Sequence, residues 1–207
     1  MGKGELAIRI AKFFQNSDEH SLEAVVPVLP EPQWTVSVHE WCQRENIKLV
    51  STGDHKDLHN IVALEQLDIV ISVTYDKILD STFLSKPSRV LNIHNSPLPK
   101  YRGVNPINWA LKNNEHKHGV TIHEISPGID DGPILSQKNF QINPEVDEVI
   151  DVYERCLHFG WQLFKETIPK IDTIVPVEQV QENASYYSKK DYPLLGDRKN
   201  FTRNSSV

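Results

Sequence analysis

Cysteine and methionine are nearly absent: Cys42, Cys156 and a single methionine in 207 residues. The two cysteines stand far apart and in no metal-ligand spacing. Neither a disulfide framework nor a cysteine metal site is expected, and a reducing compartment is the natural setting. No stretch reaches 18 apolar residues, so no membrane-spanning helix and no membrane partner is expected. The opening Met1-Gly2-Lys3-Gly4 lacks the apolar run of a signal peptide, which points to a cytoplasmic location. Positive charge is scarce as well. With 22 Lys and Arg against 28 Asp and Glu, the net charge is −6, and the basic footprint of a nucleic-acid binder is missing. Neither an internal repeat nor a Pro-, Gly- or Ser-rich linker divides the chain.

The composition, 39% hydrophobic and 24% charged, is that of a globular protein with room for one substantial core. Helical periodicity marks residues 5–15, 36–46, 61–67, 78–84, 106–112 and 146–168. Apolar runs at 22–29, 48–50, 69–73, 89–94, 119–125 and 134–142 read as strands. Pro106 stands at a first-turn position, where its missing donor costs nothing. This alternation predicts an α/β fold with a doubly wound, mostly parallel sheet. Such sheets usually open on a buried strand, whereas this chain opens on a glycine-bearing turn and a helix, so the first strand reads as missing. The expected division is a core over residues 1–175 and a polar C-terminal extension over 176–207, with residues 200–207 loose.

The stretch from Leu91 to Asp131 carries the chemistry. An apolar strand ending in Asn92-Ile93-His94 places two polar side chains where packing should continue, and their spacing puts both on one face. A proline-rich loop follows at once, so both stand at a strand exit, where open α/β sheets bind ligands. Asp130 lies between Gly128 and Gly132, one helix and one strand further on, and can return to the same end of the sheet. An amide, an imidazole and a carboxylate together can stabilise an oxyanion and move a proton, as acyl transfer requires. Asp131 reads as a turn residue. Nine histidines raise a metal hypothesis, but no His-Glu-x-x-His pair occurs and none of the cysteines assists. No metal is therefore expected, and His116 and His118 read as solvated turn residues. Lys100 and Arg102 read equally well as an anion contact or as surface charge.

Asn92-x-His94, Ser96-Pro97-Leu98-Pro99-x-Tyr101-Arg102-Gly103 and Gly128-Ile129-Asp130-x-Gly132 resemble, in order and spacing, the signature of N10-formyltetrahydrofolate-dependent formyltransferases. Pro97 stands where that family usually has leucine. Ala184-Ser185-Tyr186-Tyr187 resembles more weakly the segment that follows the core in methionyl-tRNA and sugar formyltransferases. The resemblance implies Asn92, His94 and Asp130 as catalytic residues and N10-formyltetrahydrofolate as co-substrate. It implies a folate site at Tyr75, Asp76, Lys77, Ile78 and Leu79 and at Ser96, Pro97, Leu98 and Pro99, largely through backbone groups. The implied partner is a small-molecule acceptor, with a nucleotide-linked amino sugar preferred over glycinamide ribonucleotide. A folate-binding protein without catalysis and a formate-releasing hydrolase remain as alternatives. A homodimer stays open, with the sheet edge and residues 171–177 offering surfaces.

Overall fold

The strongly apolar run near residue 70 becomes one of two parallel strands at the centre of the molecule, and everything that positions the site is built outward from them. In the computed structural model residues 1–196 are described. The loose tail expected at 200–207, and with it the end of the C-terminal extension, lies outside the described residues. In chain order the helices are α1 (Gly4–Gln15), α2 (Val38–Arg44), α3 (Ser81–Leu84), α4 (Pro106–Lys112) and α5 (Val149–Thr167). The strands are β1 (Val70–Val73), β2 (Val90–His94), β3 (Arg102–Gly103), β4 (Lys117–Glu124), β5 (Ile134–Gln141) and β6 (Tyr186–Tyr187).

The main sheet runs β1-β2-β4-β5. β1 and β2 are parallel, while β4 is antiparallel to both β2 and β5. Parallel pairing continues beyond β1 through single bridges: Gly2 to Val73 and to Pro27, then Val25 to Leu49. The runs at 22–29 and 48–50 therefore supply extended backbone to the sheet without forming strands of their own. Ahead of α1, Gly2 bridges in parallel to both Val73 and Pro27. β3 and β6 form a separate parallel pair that ties the C-terminal segment to the loop after β2.

Helices cover both faces. On one side Leu6, Ile10 and Phe14 of α1 and Val152, Cys156 and Phe164 of α5 pack on Ile93, Val120 and Ile122. Phe164 is fully buried and contributes about 1.5–3 kcal/mol by leaving water. On the other side Leu58, Leu64 and Phe83 cover Val70 and Val90. β1 and β2, covered on both faces, are accordingly apolar except at Ser72, Asn92 and His94, as parallel strands tend to be.

Two expected helices are shorter than their periodicity suggests. Residues 78–84 form one turn, α3, because Asp80 caps it by accepting from the Phe83 N–H at 3.0 Å. Residues 61–67 hold only a 3-10 turn, Leu64–Gln66. α4 starts on Pro106 as expected, and α5 is opened by a reciprocal capping box between Glu148 and Asp151. His118 corrects the reading of a solvated turn residue: it lies on β4 and is fully buried, with Nε2 2.8 Å from the Asn95 carbonyl. Burial pushes its pKa down to about 4.

Candidate active site

Parallel pairing of β1 with β2 sets Ser72 beside Asn92 and Val73 beside Ile93. The loops that follow the two strands therefore leave the same edge of the sheet. Tyr75 to Leu79 follow β1, and Ser96 to Pro99 follow β2. Tyr75 turns inward, its hydroxyl donating to the Gly53 carbonyl and accepting from the His55 N–H, both at 2.9 Å. Lys77 lies 3.4 Å from Asp54, Ile78 and Asp76 are exposed and Leu79 is buried. In the second loop Ser96 is buried and donates to the Lys100 carbonyl at 2.7 Å. The Leu98 N–H donates to Thr121 Oγ1 at 3.2 Å, and Gln137 Nε2 donates to the Leu98 carbonyl at 2.8 Å. The Leu98–Pro99 peptide is cis, and Pro97 lies against Gly119 of β4. That loop is thus held rigidly, mainly through its backbone.

Asn92 and His94 project from one face of β2, and Asp130 comes back to meet both. Asp130 Oδ1 accepts from Asn92 Nδ2 at 3.3 Å, and Oδ2 lies 3.6 Å from His94 Nδ1. Oδ2 also accepts from the Gly103 N–H at 2.8 Å. The other nitrogen of His94, Nε2, lies 2.8 Å from the Tyr101 carbonyl. A carbonyl can only accept, so Nε2 carries the hydrogen and Nδ1 is the nitrogen free to take a proton. A proton gained at Nδ1 faces the Asp130 carboxylate at once.

A fourth side chain belongs to this group, one that the sequence presents only as a metal candidate. His123 stands opposite Asn92 across the β2–β4 pairing and is fully buried. Its Nδ1 lies 2.8 Å from the Glu124 carbonyl, which fixes the hydrogen there. Nε2 then accepts from Asn92 Nδ2 at 3.2 Å and stands 3.5 Å from Asp130 Oδ1. The period-two spacing of Thr121 and His123 was a signal of shared orientation, but the cross-strand register that sets His123 against Asn92 is invisible in one sequence. Burial alone would raise the Asp130 carboxyl. The His94 ring, the His123 ring and the Gly103 N–H outweigh it and hold this carboxyl well below the usual carboxylate range.

The loop carrying Asp130 is itself clamped. Asp130 takes a left-handed φ of 50°, which aspartate tolerates better than most residues. Asp131 turns away to accept from Ser126 Oγ, in keeping with a turn role. Gln179 Nε2 donates to the carbonyls of Asp130 at 2.9 Å and Gly132 at 2.8 Å. Gln179 Oε1 in turn accepts from Arg102 Nε at 3.0 Å and Nη2 at 2.7 Å, while Arg102 Nη1 donates to Gln181 at 3.0 Å. Arg102 is therefore a buried structural cation, neither the anion contact nor the surface charge that its sequence context suggested. Lys100, by contrast, is exposed and pairs with Glu115 at 3.3 Å.

The C-terminal segment also braces the far side of the imidazole. Ser185 Oγ accepts from the Tyr101 N–H at 2.8 Å, and Tyr187 stacks on Trp109 with ring centroids 4.1 Å apart. Tyr101, whose carbonyl orients His94, is held at φ 62° by these contacts. Such strain persists only where the surroundings over-determine it. Among the described residues no group of three or more His, Cys, Asp or Glu side chains is arranged to hold a metal ion, and no helix is long and apolar enough to cross a membrane.

Known proteins resemble this chain in sequence and in fold. The methionyl-tRNA formyltransferase of Ehrlichia canis (strain Jake) is 28% identical over 200 residues, which are 91% of this chain and 65% of that one. The chain thus spans slightly less than two thirds of the length of that relative. Among solved structures, WlaRD, a sugar 3N-formyl transferase determined with dTDP and 5-N-formyl-THF, superposes with a TM-score of 0.77 at 31% identity. That match covers 92% of this chain and 68% of WlaRD. An N-formyltransferase from Helicobacter canadensis, determined with folinic acid and dTDP-3-aminofucose, gives a TM-score of 0.76 at 29% identity, covering 92% of this chain and 70% of that one. A family model described as formyl transferase matches residues 32–168, well over half of the sequence and the whole of the site except the Gln179 clamp and the β6 brace. By fold, by motif and by that match, the chain belongs to the formyl transferase family.

Proposed function

We propose that this chain transfers the formyl group of N10-formyltetrahydrofolate to the amine of a nucleotide-linked amino sugar, with Asn92, His94 and Asp130 as its catalytic residues. The observation that carries this reading is the half-buried Asp130 carboxylate, set between the Asn92 amide and His94 Nδ1 at the exit of β2.

The acceptor amine attacks the formyl carbon, a carbon–nitrogen bond forms, and the carbonyl oxygen becomes negative. Asn92 Nδ2 and a protonated His94 Nδ1 donate to that oxygen. One such donor is worth about 2.7–4 kcal/mol in a comparable setting. Asn92 spends its two N–H groups on His123 and Asp130, at 3.2 and 3.3 Å, and these long bonds are readily exchanged for a stronger acceptor. Asp130 holds His94 in its working orientation, stabilises its imidazolium form and helps remove the proton from the attacking ammonium. That proton passes to N10 of the folate. The bond between the formyl carbon and N10 then breaks, the carbonyl re-forms, and tetrahydrofolate departs as a neutral amine.

The folate lies against the two loops at the sheet edge: Tyr75, Asp76, Lys77, Ile78 and Leu79 on one side, Ser96, Pro97, Leu98 and Pro99 on the other. Their backbone groups read the pterin. Residues 1–175 serve as the catalytic core, and the extension from residue 176 steadies it through Gln179 and Ser185. The sugar acceptor is favoured because two similar solved structures hold dTDP or a dTDP-linked amino sugar together with a formyl-folate. The net charge of −6 weighs against tRNA, whose backbone calls for clustered positive charge.

The test is purified protein with N10-formyltetrahydrofolate and a panel of nucleotide-linked amino sugars, glycinamide ribonucleotide and methionyl-tRNA, with products read by mass. A formylated amino sugar is the expected product. Consumption of glycinamide ribonucleotide alone would overturn the acceptor. Folate binding with no turnover on any acceptor would make the chain a binding protein, and formate released without acceptor would make it a hydrolase.

A further inference from the structure

The backbone of Tyr75 to Leu79 enters no backbone–backbone hydrogen bond among the described residues. Peptide groups left free in this way are open to a ligand, but the loop must then be held by its side chains. Three of them turn inward. Leu79 clusters with Leu58, Leu64 and Phe83. The other two reach one short turn, residues 52–55. The Tyr75 hydroxyl joins the Gly53 carbonyl and the His55 N–H, both at 2.9 Å, and Lys77 Nζ stands 3.4 Å from Asp54 Oδ2. Asp76 and Ile78, which alternate with these ties, are exposed.

The turn is anchored on its own account. The Gly53 N–H donates to the Val50 carbonyl at 3.0 Å, and the Asp54 N–H to Thr52 Oγ1 at 3.2 Å. Gly53 takes a φ of +65°, and a Cβ there would lie 2.8 Å from the Pro27 carbonyl oxygen, so the turn sits hard against neighbouring backbone. His55 is buried with its ring edge-on to Phe83, centroids 5.1 Å apart. Asp54 Oδ1 accepts from the Lys56 N–H at 3.0 Å, which aims the carboxylate. Its other oxygen is the one that meets Lys77. Burial lowers the His55 pKa from the ordinary 6.5, so the ring is neutral at pH 7 and the charge on Asp54 is balanced by Lys77.

We propose that Asp54 is a positioning residue for the folate: its turn, residues 52–55, holds the Tyr75–Leu79 loop in the binding conformation through Lys77 and the Tyr75 hydroxyl. This role depends on folate lying against that loop, as in the proposed function. A loop that binds through free peptide groups gives up conformational freedom when it closes on a ligand, and a loop already tied at two points gives up less. Asp54 acts on the loop, whereas Asn92, His94 and Asp130 act on the formyl group. The two sets therefore govern different constants, Asp54 the affinity for folate and the other three the rate of transfer.

The test measures calorimetric affinity for 5-formyltetrahydrofolate, KM and kcat in formyl transfer, and the thermal midpoint, for Asp54→Asn and Tyr75→Phe. Asp54→Asn keeps an acceptor for the Lys56 N–H and removes the charge that draws Lys77. Tyr75→Phe keeps the ring and removes the hydroxyl. Each is expected to weaken folate binding and raise the folate KM roughly three- to tenfold, with kcat and the amino-sugar KM unchanged. Asp54→Glu, which restores the charge, is expected to recover part of the affinity. A lower midpoint with wild-type folate affinity would make the turn merely structural and overturn the proposal, as would a fall in kcat at constant KM. Failure of the wild-type chain to bind folate would sink the proposed function, and the positioning role with it. Folate bound equally by wild type and Asp54→Asn would overturn the positioning role alone.

Discussion

Replacing Asp130 by asparagine removes one charge while keeping the size of the side chain, and the surroundings of the carboxylate set the consequences. Both oxygens act as acceptors: Oδ2 from the Gly103 N–H at 2.8 Å, Oδ1 from Asn92 Nδ2 at 3.3 Å. An asparagine has one oxygen, so its NH2 group must face one of these donors. A buried donor left without an acceptor costs about 1–3 kcal/mol. For a chain of this length each kcal/mol lowers the thermal midpoint by about 2–4 °C, so Asp130→Asn is expected to melt a few degrees lower yet remain folded. The effect on turnover is larger. Without the negative charge 3.6 Å from His94 Nδ1, the imidazolium form loses its stabilising partner and the ring its orientation. General acid–base assistance of this kind is worth about 10²–10⁴ in rate. The assay pairs formyl transfer, followed by the absorbance change as formyl-folate is consumed, with a calorimetric folate titration. Turnover is expected to fall within that range while folate affinity holds. Near-wild-type turnover in the folded variant would refute the catalytic role of Asp130. A loss of folate affinity matching the loss of rate would show that the carboxylate shapes the folate site instead.

Other substitutions probe the supports. Gln179→Ala leaves the Asp130 and Gly132 carbonyls and the Arg102 guanidinium without their shared partner. Urea titration is expected to show a loss of about 1–3 kcal/mol, with turnover falling as the Asp130 loop loosens; an unchanged midpoint would contradict the clamp. Gly103→Ala places a Cβ 2.1 Å from the Tyr187 carbonyl oxygen at a φ of +89°. Breaking the β3–β6 pairing should lower the melting midpoint and turnover together, and a variant stable and active as wild type would count against the brace. The pH dependence of stability follows from His118. Its folded pKa of about 4 lies below the ordinary 6.5, so between these values the unfolded chain binds a proton that the native one refuses. Stability should therefore fall as pH drops from 6.5 toward 4, by up to about 3 kcal/mol from this residue. Burial lowers His55 in the same direction, so His118→Gln should flatten part of the slope. Below pH 4 the opposite kind of group takes over. Asp130, held low, contributes stability that is complete above the ordinary carboxylate value and is lost as it protonates, a loss that should be reduced in Asp130→Asn.

Most of the fold was legible because its signals are local. Pro106 at a helix start, the apolar run that becomes β1 and the Asn92-x-His94 spacing all act within a few residues. The elements that went astray depended on neighbours distant in sequence. Residues 22–29 look like a strand from their apolar content, yet only single bridges form there, Val25 to Leu49 and Pro27 to Gly2, because apolar content along the chain does not show how far a neighbouring backbone runs alongside. His118 reads as a turn residue from its surroundings of Lys117, His116 and Glu115, but the alternation of β4 turns it into the core. Arg102 reads equally well as an anion contact or a surface charge until two glutamines from beyond residue 175 satisfy it.

The order and spacing of amide, imidazole and acid were settled by the sequence alone, since strand periodicity fixes a shared face and a glycine-flanked turn allows a tight return. Only the tertiary structure decided which groups meet. Cross-strand register brought His123 to Asn92, and a hydrogen bond spanning 49 residues from Gln179 set the loop that carries Asp130. Contacts of that kind arise from how the chain closes on itself, and no periodicity along it encodes them.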